Sequence, residues 1–103
     1  AAVSTTEATQ LINREDALMV DVRDQDAYAK AHILNARSVP MSQIVARSQE
    51  LASHKQKPLI VYCDSGSRSL AAAAIFRKEG FTRVQSLNGG LQAWQQAGLP
   101  VQS

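Results

Sequence analysis

The sequence predicts an α/β fold of three layers, with a mostly parallel sheet lying between two layers of helices. Two observations predict it. Short apolar segments alternate with helix-like stretches along the whole chain, and parallel strands are joined by helical crossovers. Residues 58–62, Pro-Leu-Ile-Val-Tyr, lack any polar alternation, as expected of a strand buried on both faces. The length of 103 residues suits a single domain spanning 1–103, and a hydrophobic content of 45% is enough to build its core.

The elements follow in order. Ser4-Thr5-Thr6-Glu7 reads as a capping box, so a helix starts there, carries Leu11 and Ile12, and ends near Asn13 and Arg14. Residues 17–22 form a short apolar run that becomes β-branched and predicts a buried strand. Residues 26–31 allow a brief helix. Residues 36–40 suggest a strand that Pro40 ends. Residues 42–51 have helical spacing, with Ile44, Val45, Ser48 and Leu51 expected on one face. A polar loop, 54–58, leads into the strand 58–62. A helix over 69–78 is closed by Gly80. A strand over 84–87 and the turn Gly89-Gly90 precede a last helix, 91–97, stopped by Gly98 and Pro100.

Ligands of open parallel sheets bind beyond the carboxyl ends of the strands, and Cys63 lies at such an end. It opens the loop Cys63-Asp64-Ser65-Gly66-Ser67-Arg68-Ser69, directly before the alanine-rich helix. A strand, a tight loop and a helix start aim backbone N–H groups and the positive end of a helix dipole at one point. A thiol there is pushed toward thiolate. Gly66 permits a turn that a side chain would obstruct. Ser65, Ser67 and Ser69 are small and can donate hydrogen bonds, and Arg68 offers a planar fork for an anion. Backbone amides are expected to stabilise the sulfur first and Arg68 second. Asp64 opposes this unless its carboxylate points into solvent.

Composition narrows the alternatives. One cysteine rules out a disulfide within the chain and a multi-cysteine metal site. A net charge of +2, from scattered groups, contains no basic run of the kind nucleic acid requires. No apolar stretch approaches the length of a membrane span, and no signal-peptide pattern is present. The free thiol fits a cytoplasmic setting. Because the chain begins Ala1-Ala2-Val3 without methionine, an anchor or export signal further upstream remains compatible with it.

The run from Cys63 to Ser69, in the form C-x-x-G-x-R-S, resembles the active-site loop of rhodanese-domain sulfurtransferases. Two further segments resemble that family in the right order. The first is Val20-Asp21-Val22-Arg23 with Tyr28, His32-Ile33 and Val39-Pro40. The second is residues 87–94, Leu-Asn-Gly-Gly-Leu-Gln-Ala-Trp, with Ala97-Gly98-Leu99-Pro100. The likeness spans about residues 4–100. One departure is Ala31, where the family usually has glycine before the histidine. The resemblance implies a rhodanese-like sheet of five strands and transfer of a sulfane sulfur through a persulfide on Cys63. The donor would be a small anion, thiosulfate or another persulfide. The acceptor would be cyanide or a thiol, including a protein thiol. Asp64, Ser65, Gly66, Ser67 and Arg68 would bind the donor, and no metal or organic cofactor is needed. The alternative is a persulfide carrier or docking module that serves a dedicated protein partner and uses thiosulfate poorly. Asp64 favours that alternative and Arg68 the enzyme. Cysteine phosphatases of related fold place five residues between cysteine and arginine. Four stand here, a smaller cradle that suits sulfur better than phosphate.

Other residues have plainer expectations. His32 is expected to bond Asp21 or nearby backbone and fix the segment before Ile33. His54 is expected to be solvated, Asp21 and Arg23 to pin a strand end as a buried pair, and Trp94 to lie in the core.

Overall fold

The computed structural model describes residues 2–103. The elements run β1 (Ala2–Val3), α1 (Thr5–Glu15), β2 (Leu18–Asp21), α2 (Gln25–Lys30), β3 (His32–Ile33), β4 (Arg37–Ser38), α3 (Ile44–Arg47), β5 (Leu59–Tyr62), α4 (Ser69–Lys78), β6 (Val84–Leu87), α5 (Gly90–Gln96) and β7 (Val101–Gln102). Five strands form one sheet in the order β1-β6-β5-β2-β4, every pair parallel. The expected α/β architecture is present, with helices on both faces. A separate antiparallel ribbon pairs β3 with β7.

Local chemistry accounts for the principal elements. Ser4 and Glu7 close a reciprocal capping box on α1: the Glu7 N–H donates to Ser4 Oγ at 3.1 Å, and the Ser4 N–H to Glu7 Oε1 at 2.9 Å. In α4, Ser69, Ala72, Ala73 and Phe76 recur at helical spacing and are all buried. The small alanines let this helix lie close to the sheet. Its end is sealed by the Phe81 N–H on the Phe76 carbonyl and by an edge-to-face contact of the two rings, 5.3 Å apart.

The sheet divides the core in two. Val20, Leu59, Val61, Cys63 and Val84 meet Ile44 of α3 and Ala72, Ala73 and Phe76 of α4. Met19, Ile60, Tyr62 and Leu87 meet Ala8 of α1 and Leu91 and Trp94 of α5. Every residue of β5 is buried, and burying each large apolar side chain contributes about 1.5–3 kcal/mol. The alternation along β5 puts Cys63 on the α4 face, one residue past the strand.

Residues 42–51 depart from the expected helix. The chain makes a 3₁₀ turn at Met41–Gln43, one α-turn, then a 3₁₀ segment at Ser48–His54 that breaks at Leu51. Ile44, Ser48 and Leu51 are buried, but Val45 is 63% exposed. Val45 lies in the α-turn next to Ile44, about 100° further round it, and so faces solvent.

Candidate active site

The site is built where β5 meets α4. Cys63 is only 1% exposed, so its sulfur lies at the floor of the loop. Gly66 adopts φ +99, a left-handed conformation, and its N–H donates to Cys63 Sγ at 3.2 Å. The N–H groups of Arg68 and Ser69, where α4 begins, and the Ser69 hydroxyl also act on the thiol, each favouring its ionised form. Burial pushes the thiol pKa up. The amides of Arg68, Ser69 and Gly66, with the Ser69 hydroxyl, outweigh it and hold the pKa below the ordinary value of 9.0.

The loop's carbonyls are held from the other side. The first amides of α5 take them: Leu91 N–H donates to the Cys63 carbonyl at 2.9 Å, and Gln92 N–H to the Asp64 carbonyl at 3.1 Å. With those oxygens turned to α5, the loop's own N–H groups are free to face the sulfur. Gly90 makes the approach possible. It has φ +56, and a Cβ there would collide with the Cys63 carbonyl oxygen and with Asp64 backbone. The turn Gly89-Gly90 is therefore part of the site's support. Gly90→Ala is expected to cost about 2–4 kcal/mol through left-handed strain and overpacking. Urea denaturation with a matched assay of thiol reactivity measures it, and an unchanged stability overturns the assignment.

The charged residues differ from expectation in one respect. Asp64 does not simply point into solvent. Its carboxylate, 56% exposed, pairs with Arg23 Nη1 at 3.2 Å and lies 3.9 Å from Arg68 Nη2. Arg68 is half-exposed. Its guanidinium is turned toward Asp64, and its backbone N–H is among the groups that lower the Cys63 pKa. The side chains of Ser65 and Ser67 are exposed at the rim.

Arg23 anchors the floor of this network. It is 4% exposed beside a fully buried Asp21. Its Nη2 donates to Asp21 Oδ2 at 2.7 Å and to the Ala31 carbonyl at 2.6 Å, and its Nε to Asp21 Oδ1 at 3.0 Å. Burial works against the Arg23 charge, but the bonds to Asp21 and then Asp64 raise its pKa above the ordinary value. Ala31 itself has φ −165, extended backbone open to any residue, so the departure from glycine strains nothing.

His32 bonds backbone rather than Asp21. Its Nδ1 lies 2.8 Å from the Tyr28 carbonyl, and its ring stacks on Tyr28 at 3.7 Å. Tyr62 Oη accepts the Ile33 N–H at 3.0 Å, and burial, with the nearby Asp21 carboxylate, pushes its phenol far above the ordinary range. His54 is less solvated than expected, with Nε2 3.2 Å from the Asp16 carbonyl. Trp94 is 3% exposed in the core, and its indole N–H donates to the Pro100 carbonyl at 2.9 Å.

Of the three loop serines expected as donors, Ser69 is the one that serves the thiol, through both its amide and its hydroxyl, and one residue of this site was not expected from the sequence. Ser86 of β6, 2% exposed, stands 2.6 Å from Ser69 Oγ. A signal existed for Ser86: it shares a strand face with Val84 and so puts a hydroxyl toward the core.

A family model described as the rhodanese-like domain matches residues 4–97. Thiosulfate sulfurtransferase GlpE of Coxiella burnetii is 38% identical over 93 residues, which cover 90% of this chain and 85% of that protein. A sulfurtransferase of Allochromatium vinosum is 38% identical over 92 residues, covering 89% and 84%. The crystal structure of a rhodanese-related protein from Thermoplasma volcanium matches 98% of this chain and 96% of its own with a TM-score of 0.85 at 25% identity.

Proposed function

Because this chain belongs to the rhodanese-like domain family, whose relatives here include sulfurtransferases, we propose that it moves a sulfane sulfur through a persulfide on Cys63. The observation that carries this reading is a buried sulfur that accepts the Gly66 N–H and whose pKa is lowered, against burial, by the amides of Arg68, Ser69 and Gly66 and by the Ser69 hydroxyl. A thiolate held this way needs no neighbouring base.

The reaction balances in two steps. The Cys63 thiolate attacks the outer sulfur of thiosulfate. A sulfur–sulfur bond forms, the original one breaks, and sulfite leaves with the electron pair. An acceptor thiolate or cyanide then attacks the outer sulfur of the persulfide. It leaves as a new persulfide or thiocyanate, and the Cys63 thiolate is restored. The cradle carries the negative charge at the start, at the end and in the persulfide between. Asp64, Ser65, Gly66, Ser67 and Arg68 form the rim against which the donor binds, with Arg68 gripping its anionic group.

The Asp64–Arg68 pairing supports a second reading, in which the domain carries sulfur for a protein partner and uses thiosulfate poorly. The two readings separate experimentally. Intact mass after mixing with thiosulfate is expected to show one added sulfur, removable by a reducing thiol. Absence of that adduct with thiosulfate and with a low-molecular-weight persulfide alike overturns the proposal. Slow thiosulfate:cyanide turnover beside rapid loading from the persulfide identifies the carrier. Under the enzyme reading, Asp64→Asn frees Arg68 and lowers KM for thiosulfate by about two- to fivefold. Arg68→Ala raises KM by about tenfold and leaves the acceptor step unchanged. If only the acceptor step suffers, Arg68 does not bind the donor.

A further inference from the structure

Ser69 and Ser86 form a buried hydroxyl pair beneath Cys63. Ser69 is fully buried, and Ser86 is 2% exposed. Their oxygens are 2.6 Å apart, a short hydroxyl–hydroxyl bond. Each hydroxyl has one proton to donate, so the direction of this bond decides where the other proton goes.

Partner counting settles the direction. Among the described residues, Ser86 Oγ has Ser69 Oγ as its side-chain hydrogen-bond partner. A buried hydroxyl proton without an acceptor costs about 1–3 kcal/mol. Ser69 Oγ has a second acceptor within reach, the Gly66 carbonyl at 3.2 Å, and its hydroxyl is also one of the groups that favour the Cys63 thiolate. Were Ser69 to donate to Ser86, the Ser86 proton would lack an acceptor and no hydroxyl would serve the sulfur. With Ser86 as donor, both protons are placed.

We propose that Ser86 is a positioning residue for the sulfur site: it donates to Ser69 and so leaves the Ser69 proton to alternate between the Gly66 carbonyl and the Cys63 sulfur. With a neutral thiol, the Gly66 carbonyl is the better acceptor. With a thiolate or persulfide anion, the sulfur is. The hydroxyl turns toward the charge when it forms and away when it is discharged, while Ser86 holds its oxygen in place. A donor bonded to a hydroxyl also polarises it and strengthens its outgoing bond, by about 10–30%.

The assignment rests on the reading of Cys63 as the sulfur-carrying nucleophile. Its readout, ionisation of the thiol, needs no sulfur donor, so the two can fail separately. The charged groups of the elements packed about the loop are Asp21 and Arg23 at the end of β2, with Asp64 and Arg68 in the loop itself, linked to one another by ion pairs. None is altered in the test. Ser86→Ala removes one oxygen and leaves the strand pairings of residue 86 with Ala2 and Val61 in place.

The experiment is the pH profile of Cys63 alkylation by iodoacetamide on the full chain. Ser86→Ala is expected to move the inflection up by about 0.3–0.5 pH unit, a two- to threefold loss of rate below it. Ser69→Ala is expected to move it by about one unit. In the Ser69→Ala background, Ser86→Ala should add nothing, because it acts through the hydroxyl already removed. A Ser86→Ala profile coincident with the parent protein, or a shift undiminished without the Ser69 hydroxyl, overturns the proposal.

Discussion

Cys63→Ser is expected to abolish sulfur transfer, by a factor on the order of 10³ or more, while the protein stays folded. Serine is close in size and accepts the same N–H bonds that now reach the sulfur, so near neutral pH stability should change by about 1 kcal/mol at most. The pH dependence carries a sign. The thiol's folded pKa lies below its ordinary value of 9.0. The parent protein therefore has a stabilising contribution that is fully present above the ordinary value and is lost as pH falls through the folded one. Serine, which does not ionise there, lacks it. The two proteins should be nearly equally stable at mildly acid pH and diverge as pH rises toward 9.0, the parent being the more stable. Urea denaturation across that range, with a thiosulfate:cyanide assay, tests both parts. Transfer retained by the serine variant would remove Cys63 from the mechanism.

Arg23→Ala carries the largest expected effect on stability, a loss of about 3–5 kcal/mol. The substitution leaves the Asp21 carboxylate at full burial with its guanidinium partner gone. It also frees the Ala31 carbonyl and the Asp64 carboxylate. The magnitude reflects the charge left behind rather than the worth of the pair. Removing Asp21 in the same chain should consequently add less than its own single effect. Arg23→Lys keeps a charge but cannot make the forked contact to Asp21 and the reach to Ala31 together, and should fall between. Chemical denaturation of the three variants measures this, and a loss under about 1 kcal/mol for Arg23→Ala would show that the network does not hold β2 to the loop. The same variant links structure to specificity, because Asp64 released from Arg23 is free to engage Arg68 more closely and oppose an anionic donor.

Much of this arrangement was legible in the residues. Helix 69–78 and strand 84–87 were marked by their own periodicity and by the glycines beyond them, and the sheet strand ending at Tyr62 by its unbroken apolar run. Strands of two residues carry no period, so β1, β3 and β7 could not be read this way. They exist because neighbours supply partners: Ala2 and Val3 complete the sheet against Ser86 and Leu87, and His32 and Ile33 pair with Gln102 and Val101. The loop from Cys63 to Arg68 was legible as a cradle because its glycine and its place before a helix are local facts. The orientation of Asp64 was not, since the arginine that captures it stands 41 positions earlier in the chain. Ser86 was missed for the same reason: its meaning depends on a hydroxyl across the helix–sheet interface.

The contacts of Leu91 and Gln92 with the loop carbonyls bear on the kinetics of the proposed chemistry. In water, a newly formed anion must recruit and reorient its surrounding dipoles, and that reorganisation enlarges the barrier. Here the peptide planes around residue 63 are oriented as the chain folds, by the first turn of α5. Small changes at Leu91 and Gln92, whose amides hold those carbonyls, should accordingly emerge first as slower turnover in a protein that still looks native.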